Sequence, residues 1–457
     1  MHMSYPEATS YLESLIDYER TPAGAAAARV WNLDRMRHML RQCGDPHLRL
    51  SCLHIAGTKG KGSTAAIAAS ILHAAGLHTG LYTSPHLISF RERIRIGGEL
   101  ISEDDVAALT TEIQPIIELA RNGDLGPPSF FEAYTLLGFL YFARQRVDLA
   151  VIETGLGGRL DGTNVIQPLA CAITRIGLDH TQELGDTIPQ IAREKAGIIK
   201  QGVPVISAPQ LPEALEVLQE VCLERRAQLI VVGQEPGPRF FPGRADHRRQ
   251  LFTINGMRGI YADLECPLLG AHQAENAALA VGLIELLAEQ RIPGRAGPGR
   301  PGEVGEEAIR AGIKSVRWPG RFQIVRHRPT VILDGAHDEA SAAALAAALQ
   351  SLFRRKRVIL VLGVGMDKDA EAIAAHLCPL AHRVITTASA SPRALPADEL
   401  QQIVFRHCPH SAAYTPVSLA VQEALDQSRP SHVVVITGSL YVVGEAMRAL
   451  GLGGDLL

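Results

Sequence analysis

The chain has 457 residues, 46% apolar and 20% charged, with a formal net charge of −3; that length predicts two globular domains. No basic stretch suits nucleic acid and no apolar run approaches the ~20 residues of a membrane span, so neither partner is expected. Seven scattered cysteines without a C-x-x-C pair, and an N-terminus ("MHMSYPEATS") without a basic-then-apolar leader, point away from zinc, disulfides and secretion and toward a cytoplasmic protein.

Residues 7–43 carry apolar positions at helical spacing. From residue 51 short apolar runs alternate with helical patterns. The predicted strands are "LSCLHIA", "TGLYTS", "DLAVIET", "CAITRIG" and "VPVISAP". Between the first two stands "GTKGKGST", Gly57 to Thr64, leading into a helix. Strand, glycine-rich turn and helix form the layout of a phosphate loop, although the strict Walker spacing fails because Gly62 separates Lys61 from the hydroxyls. A helix is predicted over 130–145, opened by the capping box of Ser129 and Glu132 and apolar all round. A second capped helix, "TIPQIAREKAGIIK", has Thr187 as N-cap and Gly197 as stop, with Lys195 in the last turn, where the helix dipole alone would account for a lysine.

Residues 230–265 read as antiparallel strands, followed by a helix at about 272–291 and a Gly/Pro-rich linker at 294–305. A second alternating set begins near Trp318, with "TVILD", "RVILVLG", "RVITTA" and "HVVVITG" as its strands. The expected architecture is α/β, a larger mostly parallel sheet domain over 1–296 and a smaller one over 306–457.

Parallel sheets bind ligands beyond the carboxyl ends of their strands. At those positions stand the 57–64 loop, Ser84, Glu153, and Asp179 with His180; in the second domain they are Asp334, His337, Gly438 and Ser439. Glycines, lysines, a carboxylate, hydroxyls and a histidine make the inventory of a magnesium–nucleotide site. Neither domain has a G-x-G-x-x-G followed ~20 residues on by an acidic strand end, which argues against a dehydrogenase.

In order along the chain, "HIAGTKGKGST", "GLYTSPHLISFRERI", "SFFEAYT", "VIETGLGGRLDGTNVI", "DHTQELGDTIPQIAREKAGIIK", "HQAENAALA", "WPGRFQIV", "ILDGAHD" and "ITGSLYVVGE" resemble segments of the folylpolyglutamate and dihydrofolate synthases of the Mur ligase superfamily. The resemblance implies a P-loop-type central domain followed by a Rossmann-like one. It implies an ATP-dependent ligase, in which an acceptor carboxylate becomes an acyl phosphate and L-glutamate displaces the phosphate. Its small-molecule partners would be ATP, L-glutamate and a dihydropteroate or reduced folate; its cofactor Mg²⁺; its state monomeric.

Carried over residue by residue, Gly57, Thr58, Lys59, Gly60, Lys61, Gly62, Ser63 and Thr64 would hold the phosphates, with Asn276, Arg321, Asp334 and His337 on the nucleotide. Ser84, Glu153, His180 and a carbamylated Lys195 would hold metal, and Lys61, Glu153, His180 and Lys195 would carry the catalysis. Ser129, Phe130, Leu160, Asp161 and Gly162 match the pterin pocket, to which Leu33 and Arg35 would add. Lys59 and Asp338 depart from the asparagines usual in the resembled family, and they alone favour the alternative of a nucleotide-binding relative without ligase activity; a ligase for another acceptor is a further alternative, against which "TSPHL" and "LDGTN" argue.

Overall fold

The computed structural model describes residues 2–17, 32–288 and 304–453. The helical expectation for 18–31 and the Gly/Pro-rich stretch through 303 lie outside them. Among the described residues no helix is long and apolar enough to cross a membrane.

The strands of the first sheet are β1 (Cys52–Ala56), β2 (Thr79–Tyr82), β3 (Ile94–Ile96), β4 (Glu99–Leu100), β5 (Leu149–Glu153), β6 (Ala170–Ile173), β7 (Val205–Ser207) and β8 (Leu229–Val231). Their order is β4-β3-β2-β5-β1-β6-β7-β8. β3 and β4 pair antiparallel at one edge, and the other six are parallel. The central strands are buried along their whole length and mostly apolar, because helices cover both faces.

The helices of this part are α1 (Tyr5–Glu13), α2 (Leu33–Gln42), α3 (Lys61–Ala74), α4 (Glu103–Arg121), α5 (Phe130–Arg144), α6 (Thr181–Leu184), α7 (Ile188–Ala196), α8 (Pro212–Glu224) and α9 (Ala271–Leu287). α3 and α9 pack into one core, and α1, α2, α4 and α5 into another. The predicted capping box forms, Ser129 N–H donating to Glu132 Oε2 at 2.9 Å, and the predicted N-cap Thr187 proves to be part of a second box, its N–H donating to Gln190 Oε1 at 3.1 Å. Gly197 ends α7 in right-handed geometry; a Cβ there would lie 2.4 Å from the Arg159 backbone, so close packing selects the glycine.

β9 (Arg239–Ala245), β10 (Gln250–Asn255) and β11 (Ile260–Cys266) form the expected antiparallel sheet. "LIVVG" does not belong to it. As β8 it extends the large sheet in parallel, because it follows a crossover helix, α8, and not a hairpin turn.

The last sheet holds β12 (Gln323–His327), β13 (Thr330–Leu333), β14 (Val358–Leu362), β15 (Ala381–Thr386), β16 (Ser411–Ala413) and β17 (Val433–Thr437). The order is β12-β13-β17-β14-β15-β16, with only β12 antiparallel. This sheet has six strands; the short edge strands β12 and β16 carry little apolar signal. The helices here are α10 (Glu306–Ser315), α11 (Glu339–Phe353), α12 (Ala370–Leu377), α13 (Ala397–Phe405), α14 (Val417–Asp426) and α15 (Leu440–Ala449). The reading that placed 306 onward with the second unit needs one change. Ile309 and Ile313 of α10 pack into the first domain's core, and Ser70 of α3 donates to the Gly312 carbonyl at 2.7 Å.

Candidate active site

Parallel pairing aligns the strand ends that matter. Ile55 faces Glu153, Ala56 faces Ile173, and Tyr82 faces Ile152. The loop after β1 therefore lies between the Glu153 turn and the segment leading to His180. Thr58 N–H donates to Arg175 O at 2.9 Å, which ties the loop to that segment. Gly60 ends the loop at φ +92°, and a Cβ there would lie 2.4 Å from Asn276 Oδ1, so only glycine fits. Gly62, the residue that breaks the Walker spacing, is packed on Trp318: a Cβ would lie 2.7 Å from Cζ2 of that ring.

A cavity of ≈ 660 Å³ opens over this rim and is closed above by the second domain. Thr58 through Ser63 line it, with Ser84, Glu153, His180, Asn276, Arg321, Asp334 and His337. Asn32, Arg35, Ser129, Phe131, Leu160, Asp161 and Gly162 line its other end.

Several expected residues sit elsewhere. Phe130 is 1% exposed and packs among Phe90, Tyr134 and Arg93; Phe131, one residue on, faces the cavity. Thr64 is wholly buried within α3 and does not reach the cavity. Leu33 does not line it either, and Gly57 serves through its carbonyl, which accepts from Lys61 Nζ at 3.2 Å and Lys195 Nζ at 2.8 Å. Asp161 lines the cavity but spends its carboxylate on its own loop, accepting from Leu156 N–H at 2.9 Å and Thr163 N–H at 3.0 Å. Ser129 caps α5 with the help of Glu132, whose other oxygen accepts from Arg35 Nε at 2.9 Å.

The charged groups are strongly perturbed. Glu153 is 3% exposed, and burial pushes its carboxyl up to about 7 against the pull of Lys61. Its one hydrogen bond is from Ser84 N–H at 3.3 Å, and it takes no ion-pair partner among the described residues. Burial brings Lys195 down to about 7, helped by the charge of Lys61. Burial likewise lowers Lys61, opposed by Glu153. Desolvation in the cleft lowers His180 to about 4 although Asp179 opposes it, so its ring is neutral at pH 7. Asp334 is taken up by backbone, accepting from Phe322 N–H at 2.8 Å and Ala336 N–H at 2.9 Å.

Lys59 turns its ammonium onto Asp179 Oδ2 at 2.9 Å and His337 Nε2 at 3.1 Å, and pairs with Asp338. Among the described residues, Asp179, His337 and Asp338 also bring three metal-ligand-type atoms within 4.8 Å of one another, a grouping that the sequence reading did not expect. Two further groups at the site went unread in the sequence. Lys368 follows β14 and bonds Asp179 Oδ1 at 3.1 Å, so the strand-end rule would have found it. Arg175 grips Glu275 through two bonds of 2.6 Å, which no local pattern announces.

Comparison with known proteins agrees with this geometry. Residues 55–284 match the Mur ligase middle domain, and residues 320–440 the Mur ligase glutamate ligase domain. A dihydrofolate synthase/folylpolyglutamate synthase of Bacillus subtilis is 32% identical over 98% of this chain and 100% of its own length. A Mycobacterium tuberculosis folylpolyglutamate synthase complexed with ADP aligns with a TM-score of 0.87 at 31% identity, covering 99% of both chains. Escherichia coli FolC in complex with DHPP and ADP aligns at 0.82 and 30% identity, covering 98% of both. Its two matched domains and its full-length relatives place the chain in the Mur ligase family, among the folylpolyglutamate and dihydrofolate synthases, as an ATP-dependent glutamate ligase.

Proposed function

We propose that the acceptor is a pteroyl compound whose free carboxylate attacks the γ-phosphorus of ATP. The bond to the β,γ-bridging oxygen breaks and ADP leaves. The amine of L-glutamate then attacks the acyl carbon, the carbon–oxygen bond to phosphate breaks, and the amine gives up a proton. One observation carries the reading: a single cavity is lined by Arg35, Ser129 and Phe131 as well as by Lys61, Glu153, Arg321 and Asp334. An elongated acceptor held by the first three would share one cavity with the phosphates. Relatives solved with ADP, and with DHPP and ADP together, support a site that takes both kinds of ligand.

On this reading Lys61 and the first N–H groups of α3 face the phosphates, where charge spreads over the transferring group. Glu153 and Ser84 fit Mg²⁺, since a buried carboxylate with one backbone donor and no ion-pair partner suits a hard cation bound through oxygens. Bound there, Mg²⁺ would neutralise triphosphate charge; His180, with a neutral ring, would serve a second ion. Lys195 is a buried amine brought down to about 7, so a large share of it is neutral at neutral pH, which suits it to carry a carbamate toward the same metal. Domain closure keeps water from the acyl phosphate. The enzyme acts as a cytoplasmic monomer, and sedimentation at twice the chain mass would replace that statement.

Incubation with ATP, Mg²⁺, L-glutamate and either dihydropteroate or tetrahydrofolate tests the proposal. Phosphate release with one or both is expected, and their ratio distinguishes the two synthase activities. Silence with every pteroyl acceptor overturns it.

A further inference from the structure

The Lys59 ammonium, carried on the phosphate loop of the first domain, sits inside a cage drawn from both domains. Asp179 Oδ2 at 2.9 Å comes from the first; His337 Nε2 at 3.1 Å and the paired Asp338 carboxylate come from the second. His337 Nδ1 lies 2.8 Å from the Gly335 carbonyl. Its proton is therefore on Nδ1, and Nε2 turns a lone pair to Lys59. Ligand-type atoms of Asp179, His337 and Asp338 all fall within 4.8 Å of one another. These are donors a divalent cation would take, with an ammonium among them. The other Asp179 oxygen accepts from Lys368 Nζ of the second domain at 3.1 Å, so salt bridges cross the cleft twice. The groups are shielded: side-chain exposure is 29% for Lys59, 13% for Asp179 and 22% for Asp338.

We propose that Lys59 is a positioning residue, a built-in cation that fastens the second domain over the nucleotide cleft. Without it two carboxylates face each other across the domain boundary and repel. The contacts to His337 and Asp338 exist only while the domains are closed, so they add to the closed state alone. Lys59 thereby governs how often Arg321 and Asp334 stand over the phosphates, and it leaves the charge of the transferring phosphoryl group to Lys61.

The test uses the full chain with Lys59→Met, Lys59→Ala, Asp338→Ala, the Lys59→Ala/Asp338→Ala double variant, and the exchange Lys59→Asp/Asp338→Lys. Small-angle scattering with Mg²⁺ and a non-hydrolysable ATP analogue reads closure, steady-state kinetics reads kcat and KM for ATP, and visible absorption reads added Co²⁺. Each single variant should scatter as a more open particle and lose about tenfold in kcat, between an exposed and a fully buried ion pair. The double variant should be no worse than the worse single one, and the exchange should recover most of the loss. Lys59→Ala should gain a cobalt band over and above the absorption that the wild type and the double variant share. Wild-type scattering by both Lys59→Met and Lys59→Ala, with losses that multiply in the double variant, would overturn the proposal, as would a cobalt band equal in wild type and Lys59→Ala. The scattering and cobalt measurements need no acceptor, so they stand or fail apart from the choice of pteroyl substrate.

Discussion

Phe130 and Phe131 are adjacent, yet the fold gives them opposite duties, and truncating each separates the two. Phe130 is 1% exposed, with the Phe90 ring centre at 5.2 Å, Tyr134 at 5.6 Å and the Arg93 guanidinium 5.1 Å above it. Phe130→Ala empties that space and should cost about 3–5 kcal/mol. For a unit of this size that lowers the melting temperature by about 6–20 °C. KM for the pteroyl acceptor should stay near the wild-type value. Phe131 faces the cavity and shields Gly155, whose added Cβ would lie 2.5 Å from its ring. Phe131→Ala removes one aromatic contact to the acceptor, about 0.5–1.5 kcal/mol, and should raise KM by up to about tenfold with little loss of stability. Thermal melts by circular dichroism and steady-state assays at varied acceptor measure both. A raised KM for Phe130→Ala at unchanged melting temperature, with the reverse for Phe131→Ala, would refute the assignment.

Lys61→Ala should lower kcat by about 10²–10³ while the melt stays put, as expected for a lost transition-state contact. Gly62→Ala forces a carbon to within 2.7 Å of the Trp318 ring; it should cost about 1–3 kcal/mol and shift tryptophan fluorescence. Glu153 holds its proton until about pH 7, so Mg²⁺-dependent turnover should fall as pH drops below that value, and Glu153→Gln should abolish it. Lys195 falls from the ordinary 10.5 to about 7 on folding. Its contribution to stability is present above 10.5 and lost as pH falls through 7, so unmodified protein should gain stability between those values, and Lys195→Met should flatten the rise. Carbamylation consumes the neutral amine, so a ¹³CO₂-derived NMR signal should grow as pH rises through 7 and be missing in Lys195→Met.

The rim of the first sheet was legible because each central strand is a short apolar run that ends in polar or glycine residues. That pattern located the 57–62 loop, Glu153 and Asp179 without any knowledge of strand order. Lys368 was equally legible, as it follows β14 in "VGMDKD", but it was not read. Phe130 and Phe131 were not separable, because α5 is apolar all round and offers no face to choose. The edge strands β4, β12 and β16, and the short β3 beside β4, carry too few apolar residues to announce themselves, and α10 shows an amphipathic face without saying which core receives it.

Backbone preference and apolar periodicity are carried by near neighbours in the chain, so the alternation of strands and helices, the caps of α5 and α7, the phosphate loop and the ligase chemistry its segments resemble were all legible before any fold. Only the tertiary structure decided which charges meet. Lys59 lies 120 residues from Asp179, which an adjacent strand of its own sheet brings to it, and 278 from His337, whose contact requires two separate sheets to close on one another. Lys59, expected on the phosphates, turns its ammonium to a carboxylate of its own domain and to two groups of the opposite one. Desolvation within that closed cleft also carries Glu153 and Lys195 to about 7, because a side chain's charge is set by what surrounds it in space.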